Sequence, residues 1–480
     1  MFTVPDMSAA RTELRALLRL AIPIILTNLG SQLMNTVDTV MLGHFSKEAL
    51  AAAGVGGVWV MGTSMFAMGL LHGMDPIVTQ SHGARDGARA GLALQRGLVL
   101  ALLVSLPLAL AWTMTGNMLL LGGQSAQLAA DAHSYLQVQI PSIPFFLAFI
   151  ALRQYLQGRD IVRPVLMVTL LANVLNVIFN WVLIYGVGDL PGMGLVGAGI
   201  ATCITRSFLF FGLIWAIARG RLHEGAWAPW TKAAWSRRGL GEILRFGIPT
   251  SLQMGLEIWA FGACTLMAGA LGTVATGAHI IVLNLSSNSF MVPLGVALAA
   301  CTRVGNLIGA GEPERARLAG RIAVRTGAGI MLVAAVIFLA LRFQLPRLYV
   351  GSDELDVLAL AAAILPVAAA FQVFDGFQVV GAGILRGRGD TKPAAWFNLV
   401  GYWVLALPMG YYLAFHTSLG LAGVWWGLAL GLAIVAVCLS YYLRRCYGRD
   451  AEAERRALLP SAPNSAAMPA SNAGQASSAD

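Results

Sequence analysis

The chain has 480 residues, of which 57% are hydrophobic and only 11% charged, about half the charge fraction of a soluble protein of this size. With a mean hydropathy of +0.71, these values exclude a soluble globular enzyme and place the chain among polytopic α-helical membrane proteins. The formal net charge of +9 follows from membrane topology, derived below, and requires no nucleic-acid partner.

Residues 97–130, 164–188, 258–302 and 393–443 contain no Lys, Arg, Asp or Glu. Breaking the chain at charges, prolines and glycines predicts twelve spans. In chain order they fall near residues 18–43, 52–82, 96–121, 134–153, 164–186, 194–218, 244–271, 277–304, 323–349, 358–385, 394–415 and 420–443. The first carries Asp38, the second Asp75 followed by Pro76, the fifth Asn176 and Asn180, and the sixth Thr202 and Arg206. Glu257 lies in the seventh and Asp375 in the tenth.

Of the 32 Lys and Arg residues, 28 fall in segments that share a side with the N-terminus. Three (Lys47, Arg342, Arg347) fall in the opposite loops, and Arg206 lies inside a span. By the positive-inside rule both termini are expected in the cytoplasm of a multi-pass inner-membrane protein. The first apolar stretch is too long for a cleavable signal and contains an aspartate. Five cysteines lie in or beside spans without metal or disulfide spacing, and no structural metal is expected. Residues 459–480 are rich in Ala, Ser, Pro and Asn, a disordered composition.

An internal repeat divides the chain. Arg19-Leu-Ala-Ile22-Pro23 recurs as Arg245-Phe-Gly-Ile248-Pro249, 226 residues later. At the same offset Val78 meets Val304, Gly83 meets Gly309 and Gly194 meets Gly420. A constant offset over several spans predicts two pseudo-symmetric six-helix lobes around a central cavity, related by an axis along the membrane normal. The expected organisation is a cytoplasmic N-terminus (1–17), an N-lobe (18–218), a cytoplasmic linker (219–243), a C-lobe (244–443) and a cytoplasmic, largely disordered tail (444–480).

Carboxylates inside the bilayer are costly and usually functional. Counting about 1.5 Å of helix rise per residue from the nearest basic end, Glu257 and Asp375 both lie roughly 16–18 Å deep, close enough to share a cation or proton. Asp38, Asn180 and Thr202 come out together at roughly 26–28 Å, with Asn176 one turn from Asn180 on the same face. Carboxylate, amide and hydroxyl oxygens suit a hard cation such as Na⁺, or a proton-binding acid with hydrogen-bond partners. A lone intramembrane Asn or Thr more often bonds a neighbouring helix. Asp75 is poised either to act chemically or to satisfy backbone freed by Pro76, and Arg206 either to neutralise a nearby acid or to gate. His72, His82 and His279 read as packing or hydrogen-bonding residues. Trp59, Met65, Trp259, Phe261 and Met291 read as core or lipid-facing side chains; any that line a cavity would suit flat cationic compounds.

Gly387-Arg-Gly-Asp390 fits the GxGD pattern of intramembrane aspartyl proteases, but it lies past the end of the tenth span. There is no Walker A sequence and no GxSxG elbow. A protease would need two aspartates facing across one site. A flippase for lipid-linked oligosaccharide or precursor, the nearer rival, would favour a cationic cavity, whereas four acids here stand against one clear intramembrane cation, Arg206.

Asn35-Thr-Val-Asp38-Thr-Val-Met-Leu-Gly43 resembles the multidrug and toxic compound extrusion (MATE) family, NorM-like members in particular. So do Leu256-Glu257-Ile-Trp259-Ala-Phe and the run from Asp375 through Arg386-Gly-Arg-Gly-Asp390. The match covers roughly residues 12–445 in the family's order. The resemblance implies a monomeric secondary transporter, not an enzyme, that exchanges organic, often cationic, drugs for Na⁺ or H⁺ across the lipid bilayer, without a cofactor. It implies that Glu257 and Asp375 bind the coupling cation in the C-lobe, and that Asp38 does so in the N-lobe with Asn176, Asn180 and Thr202 in support. Two positions depart from the family's patterns. Phe371 stands where some sodium-coupled members carry a tyrosine, and Gly262 where eukaryotic proton-coupled members often carry a second glutamate. The resemblance therefore leaves the coupling ion open.

Overall fold

A computed structural model describes residues 7–350 and 354–458. It is almost entirely helical. The first half of the chain contains α1 (Met7–Phe45), α2 (Lys47–Leu71), α3 (Asp75–Gly83), α4 (Gly87–Thr113), α5 (Thr115–Leu121) and α6 (Ala126–Gln137). It continues with α7 (Ile143–Gly158), α8 (Arg163–Asn180) and α9 (Gly194–Arg219). The second half contains α10 (Arg237–Ala270), α11 (Thr273–Gly309), α12 (Pro313–Ala340), α13 (Leu355–Arg388), α14 (Lys392–Asn398), α15 (Leu407–Phe415) and α16 (Leu421–Leu458). A two-residue hairpin, β1 (Gly186–Val187) paired antiparallel with β2 (Leu190–Pro191), joins α8 to α9.

Among the described residues, ten helical stretches are long and apolar enough to cross a membrane. Two expected spans fall outside that set for visible reasons. α10 is 34 residues long, about 51 Å at helical rise, but Gln253 and Glu257 dilute its hydropathy. The expected 394–415 span is assembled from α14, a π-helical stretch Leu399–Ala406 and α15. The last helix continues past residue 443 to Leu458, while the 459–480 portion of the expected tail lies outside the described residues.

Each half has its own core. One is built on Leu71, Met74, Leu94, Leu147, Tyr155, Leu156 and Leu213, the other on Ile281, Ile364, Leu365, Phe371, Tyr402, Trp425 and Leu432. A third cluster packs Leu17, Leu20 and Ile24 of α1 against Val296, Ala300 and Val304 of α11 and Ile384 of α13, so α1 straps the halves together. Where the halves meet, small residues let backbones touch. A Cβ at Gly69 would collide with the backbone of Ser251, and one at Gly83 with the carbonyl of Asn306. These close approaches, with Gly255 against Phe66 and Gly305 against Thr79, gather toward the arginine-rich end of the helices. Gly54, Gly57, Gly262 and Gly269, nearer the other end, would place a Cβ in open space.

Pro76 explains how the second predicted span is built. α2 ends at Leu71, a 3₁₀ turn covers His72–Met74, and α3 restarts with Asp75 and Pro76 in its first turn, where proline's missing N–H has no intrahelical partner to lose.

Candidate functional site

In the first half the structure brings Asp38, Asn176, Asn180 and Thr202 together. Asn176 Nδ2 donates to Asp38 Oδ1 at 3.1 Å, Asn180 Nδ2 donates to the same oxygen, and Thr202 Oγ1 reaches Oδ2 at 3.4 Å. α8 supplies both amides because residues four apart share a helix face. Directly after Asn180 the helix widens into a π turn, Trp181–Tyr185, a distortion frequent at functional sites. Arg206 lies one turn beyond Thr202 on α9. Its guanidinium sits 5.0 Å from the ring centroid of Phe146 and 5.6 Å from that of Trp112, and it interacts electrostatically with Asp38. The first-half carboxylate thus has three hydrogen-bond donors and a built-in cation nearby.

The second half is arranged differently. Glu257 Oε2 on α10 accepts from Gln378 Nε2 at 3.3 Å and from Asn398 Nδ2 at 3.2 Å, and Gln378 Nε2 also donates to Asn398 Oδ1 at 3.2 Å. Asp375, one turn before Gln378 on α13, is 4% exposed and electrostatically coupled to Glu257. Among the described residues neither carboxylate has a basic partner, and Asp375 accepts no hydrogen bond. Tyr402, on the π-helical stretch after Asn398, is fully buried and interacts with both acids, and its hydroxyl has no partner. Gln378 Oε1 is also buried without one. Two carboxylates, an unused amide oxygen and a phenol oxygen, with no compensating positive charge, form a donor set suited to a proton or a hard cation. Phe371 packs beneath, edge-on to Phe261 and Trp425.

Gln378, Asn398 and Tyr402 were not singled out from the sequence. Only the spacing of three between Asp375 and Gln378, which puts both on one helix face, could have raised one of them.

Asp75 is not in this site, and its main partner is not freed backbone. Its Oδ2 lies 3.0 Å from His72 Nδ1 and 3.3 Å from Arg386 Nε of the second half. His72 is in turn held by Gln154. Arg386 itself belongs to the last turn of α13, inside the protein. His279 bonds Thr265 Oγ1 at 3.1 Å and its ring faces Trp425, a packing role. His82 lines a cavity of about 290 Å³ at the arginine-rich end with Asp160, Arg303 and Asn306. Trp59 is anchored in the first-half core by its Nε1 on the Ala111 carbonyl. Trp259 is 40% exposed and covers Gly62 of α2.

The family model described as MatE matches residues 23–182 and again residues 249–412, one stretch in each half. The chain is 36% identical over 425 residues to the probable multidrug resistance protein NorM of Bradyrhizobium diazoefficiens, covering 87% of this chain and 90% of that protein. It is 34% identical over 428 residues to the multidrug resistance protein NorM of Burkholderia vietnamiensis, covering 88% and 92%. The crystal structure of the eukaryotic MATE transporter AtDTX14 superimposes with a TM-score of 0.86 at 24% identity, over 94% of this chain and all of that one, a likeness of fold. The twice-matched family model and the near full-length relatives establish that this chain belongs to the MATE family.

Proposed function

We propose that the protein is a secondary active multidrug exporter of the inner membrane, exchanging organic, often cationic, compounds for Na⁺ or H⁺. The observation that carries this reading is the Glu257–Asp375 pair: a buried and a half-buried acid, coupled to one another, with no cation of the protein's own beside them. Sequestered like charges favour uptake of a proton or cation that lowers their repulsion, and loading them changes the energy of whichever state buries them. Asp38 by contrast takes three hydrogen-bond donors and feels the charge of Arg206, so we assign coupling to the second-half site and a structural or modulatory part to Asp38, Asn176, Asn180 and Thr202. The attraction of Arg206 to Asp38 and its stacking on Trp112 and Phe146 also weigh against a flippase, whose anionic substrate would need a free cationic lining.

In this reading α10 and the α14–α15 segment complete twelve spans in two six-helix lobes, with the linker 219–243 and both termini in the cytoplasm, and one chain suffices for transport. The closest backbone approaches between the lobes, Gly69 on Ser251 and Gly83 on Asn306, then lie toward the cytoplasmic side, as expected of an outward-facing state in an alternating-access cycle. Loading of the Glu257–Asp375 site from outside discharges the drug there. The test is drug flux in proteoliposomes with sodium and pH gradients imposed separately. Concentrative efflux driven by one of them and lost in Asp375→Asn supports the reading; flux indifferent to both gradients rejects it.

A further inference from the structure

Asp75 and Arg386 belong to different halves of the chain, yet their charged groups meet at 3.3 Å with side chains 7% and 12% exposed. An ion pair this buried is seldom neutral for function, since separating it strands two charges at considerable cost. Its surroundings favour a contact made and broken as a unit. His72 Nδ1 lies 3.0 Å from the same Asp75 oxygen, and Gln154 fixes His72 from α7. Arg153, the next residue back, interacts electrostatically with Asp75 and donates to Asn28 Oδ1 of α1 at 2.7 Å. One helical turn along α3, Gln80 Nε2 donates to the Gly387 carbonyl at 3.0 Å, a second bond between the same two helices. The first-half side of this contact is therefore a rigid polar platform, and the second-half side is the end of α13.

α13 also carries Asp375. Eleven residues separate Asp375 from Arg386, about three helical turns and roughly 16 Å, so the two project from nearly the same face. No proline interrupts that stretch, the one in this helix being Pro366. Gly376, Gly383 and Gly387 bring its backbone against Met331, Ala297 and Cys301 of the same half. The segment from acid to arginine is held to its own half as a stiff rod.

We propose that Asp75 and Arg386 form a state-dependent latch between the halves, engaged when the arginine-rich side is shut and parted when it opens, with α13 linking the Glu257–Asp375 site to it. Arg386 and Asp75 are positioning residues; neither has to touch drug or coupling ion. The assignment of that side to the cytoplasm rests on the reading proposed above, but the latch itself does not.

Hydrogen–deuterium exchange on the full-length protein tests this without substrate or gradient, so a failure of the antiport reading would not masquerade as a failure of the latch. Asp75→Asn and, independently, Arg386→Gln are each expected to raise amide exchange in 75–83 and 301–309 at least tenfold. The same variants should lower exchange at the opposite ends, in 35–45 and 262–276, as that side closes. The double variant Asp75→Asn with Arg386→Gln removes both charges of the pair and should recover at least half of the shift, and Asp75→Glu should match the unmodified protein. Unchanged exchange in both single variants overturns the proposal. So does faster exchange at both ends, which is what simple loosening of the packing would give.

Discussion

Replacing Glu257 by glutamine isolates the charge from the shape of the second-half site. The amide is nearly isosteric, and its oxygen can still accept from Gln378 and Asn398, which approach the carboxylate at 3.3 and 3.2 Å. The exchange of a charged for a neutral acceptor costs about 1 kcal/mol of stability or less per bond, so the protein should fold and insert normally. What disappears is the negative charge that, on the proposed reading, draws the coupling cation in and makes Asp375 a paired acid. One elementary charge moved through 100 mV contributes about 2.3 kcal/mol, a concentration ratio of about fiftyfold at about 1.4 kcal/mol per decade. In proteoliposomes at that potential, with a drug of no net charge so that each exchange carries one charge across, Glu257→Gln should therefore reduce the drug gradient at steady state from about fiftyfold toward unity. Downhill drug exchange and drug binding should stay within about threefold of the unmodified protein. A Glu257→Gln protein that still concentrates drug to the full ratio would refute the assignment of coupling to this site.

Asp375→Asn should insert normally and abolish resistance of expressing cells to ethidium or fluoroquinolones, read as minimum inhibitory concentration. Asp38→Asn removes the carboxylate that attracts the half-buried Arg206 and should lower stability by about 1 kcal/mol, read from detergent melting curves, whereas the double variant Asp38→Asn with Arg206→Met should regain most of the loss and keep gradient-driven efflux. Glu13 is 2% exposed and takes Arg303 Nε and Nη2 at 2.8 and 3.0 Å and Arg315 Nη2 at 2.8 Å. Glu13→Gln should therefore cost about 3 kcal/mol and loosen α1 from the second half, seen as faster proteolysis at the N-terminal end. Tyr402→Phe removes a buried hydroxyl that has no protein partner. It should leave the melting temperature unchanged or slightly raised and, if the phenol oxygen is a cation ligand, raise the sodium concentration needed for half-maximal efflux.

The grouping of Asp38 with Asn180 and Thr202 was legible because depth counting needs only regular helices between a basic end and a polar residue, and α8 is regular from Arg163 to Asn180. The second-half partners of Glu257 were not legible for two physical reasons. Neutral amides and phenols cost little inside a bilayer, so Asn398 and Tyr402 leave no mark against the many helix-bonding polar residues around them. Asn398 also stands at the edge of a π-helical stretch of eight residues, where a 3.6-residue period no longer says which side chains face the same way. Asp75 illustrates a third limit. Its partner Arg386 was counted among the cytoplasmic positive charges, since composition marks where arginines accumulate but not which of them folds back against the other half. The ends of the spans were read short at α1, which starts eleven residues before 18, because helices continue in water past the apolar stretch that defines a span.

The two halves of this molecule match the same family model but differ in their electrostatics. Both carry an acid on the first long helix or its counterpart, Asp38 on α1 and Glu257 on α10, and both follow a polar residue of the fifth predicted span or its counterpart with a π-helical stretch. In the first half the acid takes three hydrogen-bond donors and feels the charge of Arg206 without an ion pair to it. In the second it faces another acid and oxygens left without partners. An internal guanidinium cannot leave, so a site that contains one has no reason to release and rebind a cation in each cycle. On the proposed reading, a site with two acids and no cation borrows one and gives it up when the surroundings change. Substituting Arg206 by methionine alone should therefore create in the first half what the second already has. The expected outcome is a new sodium or proton dependence of drug efflux that Asp38→Asn removes again.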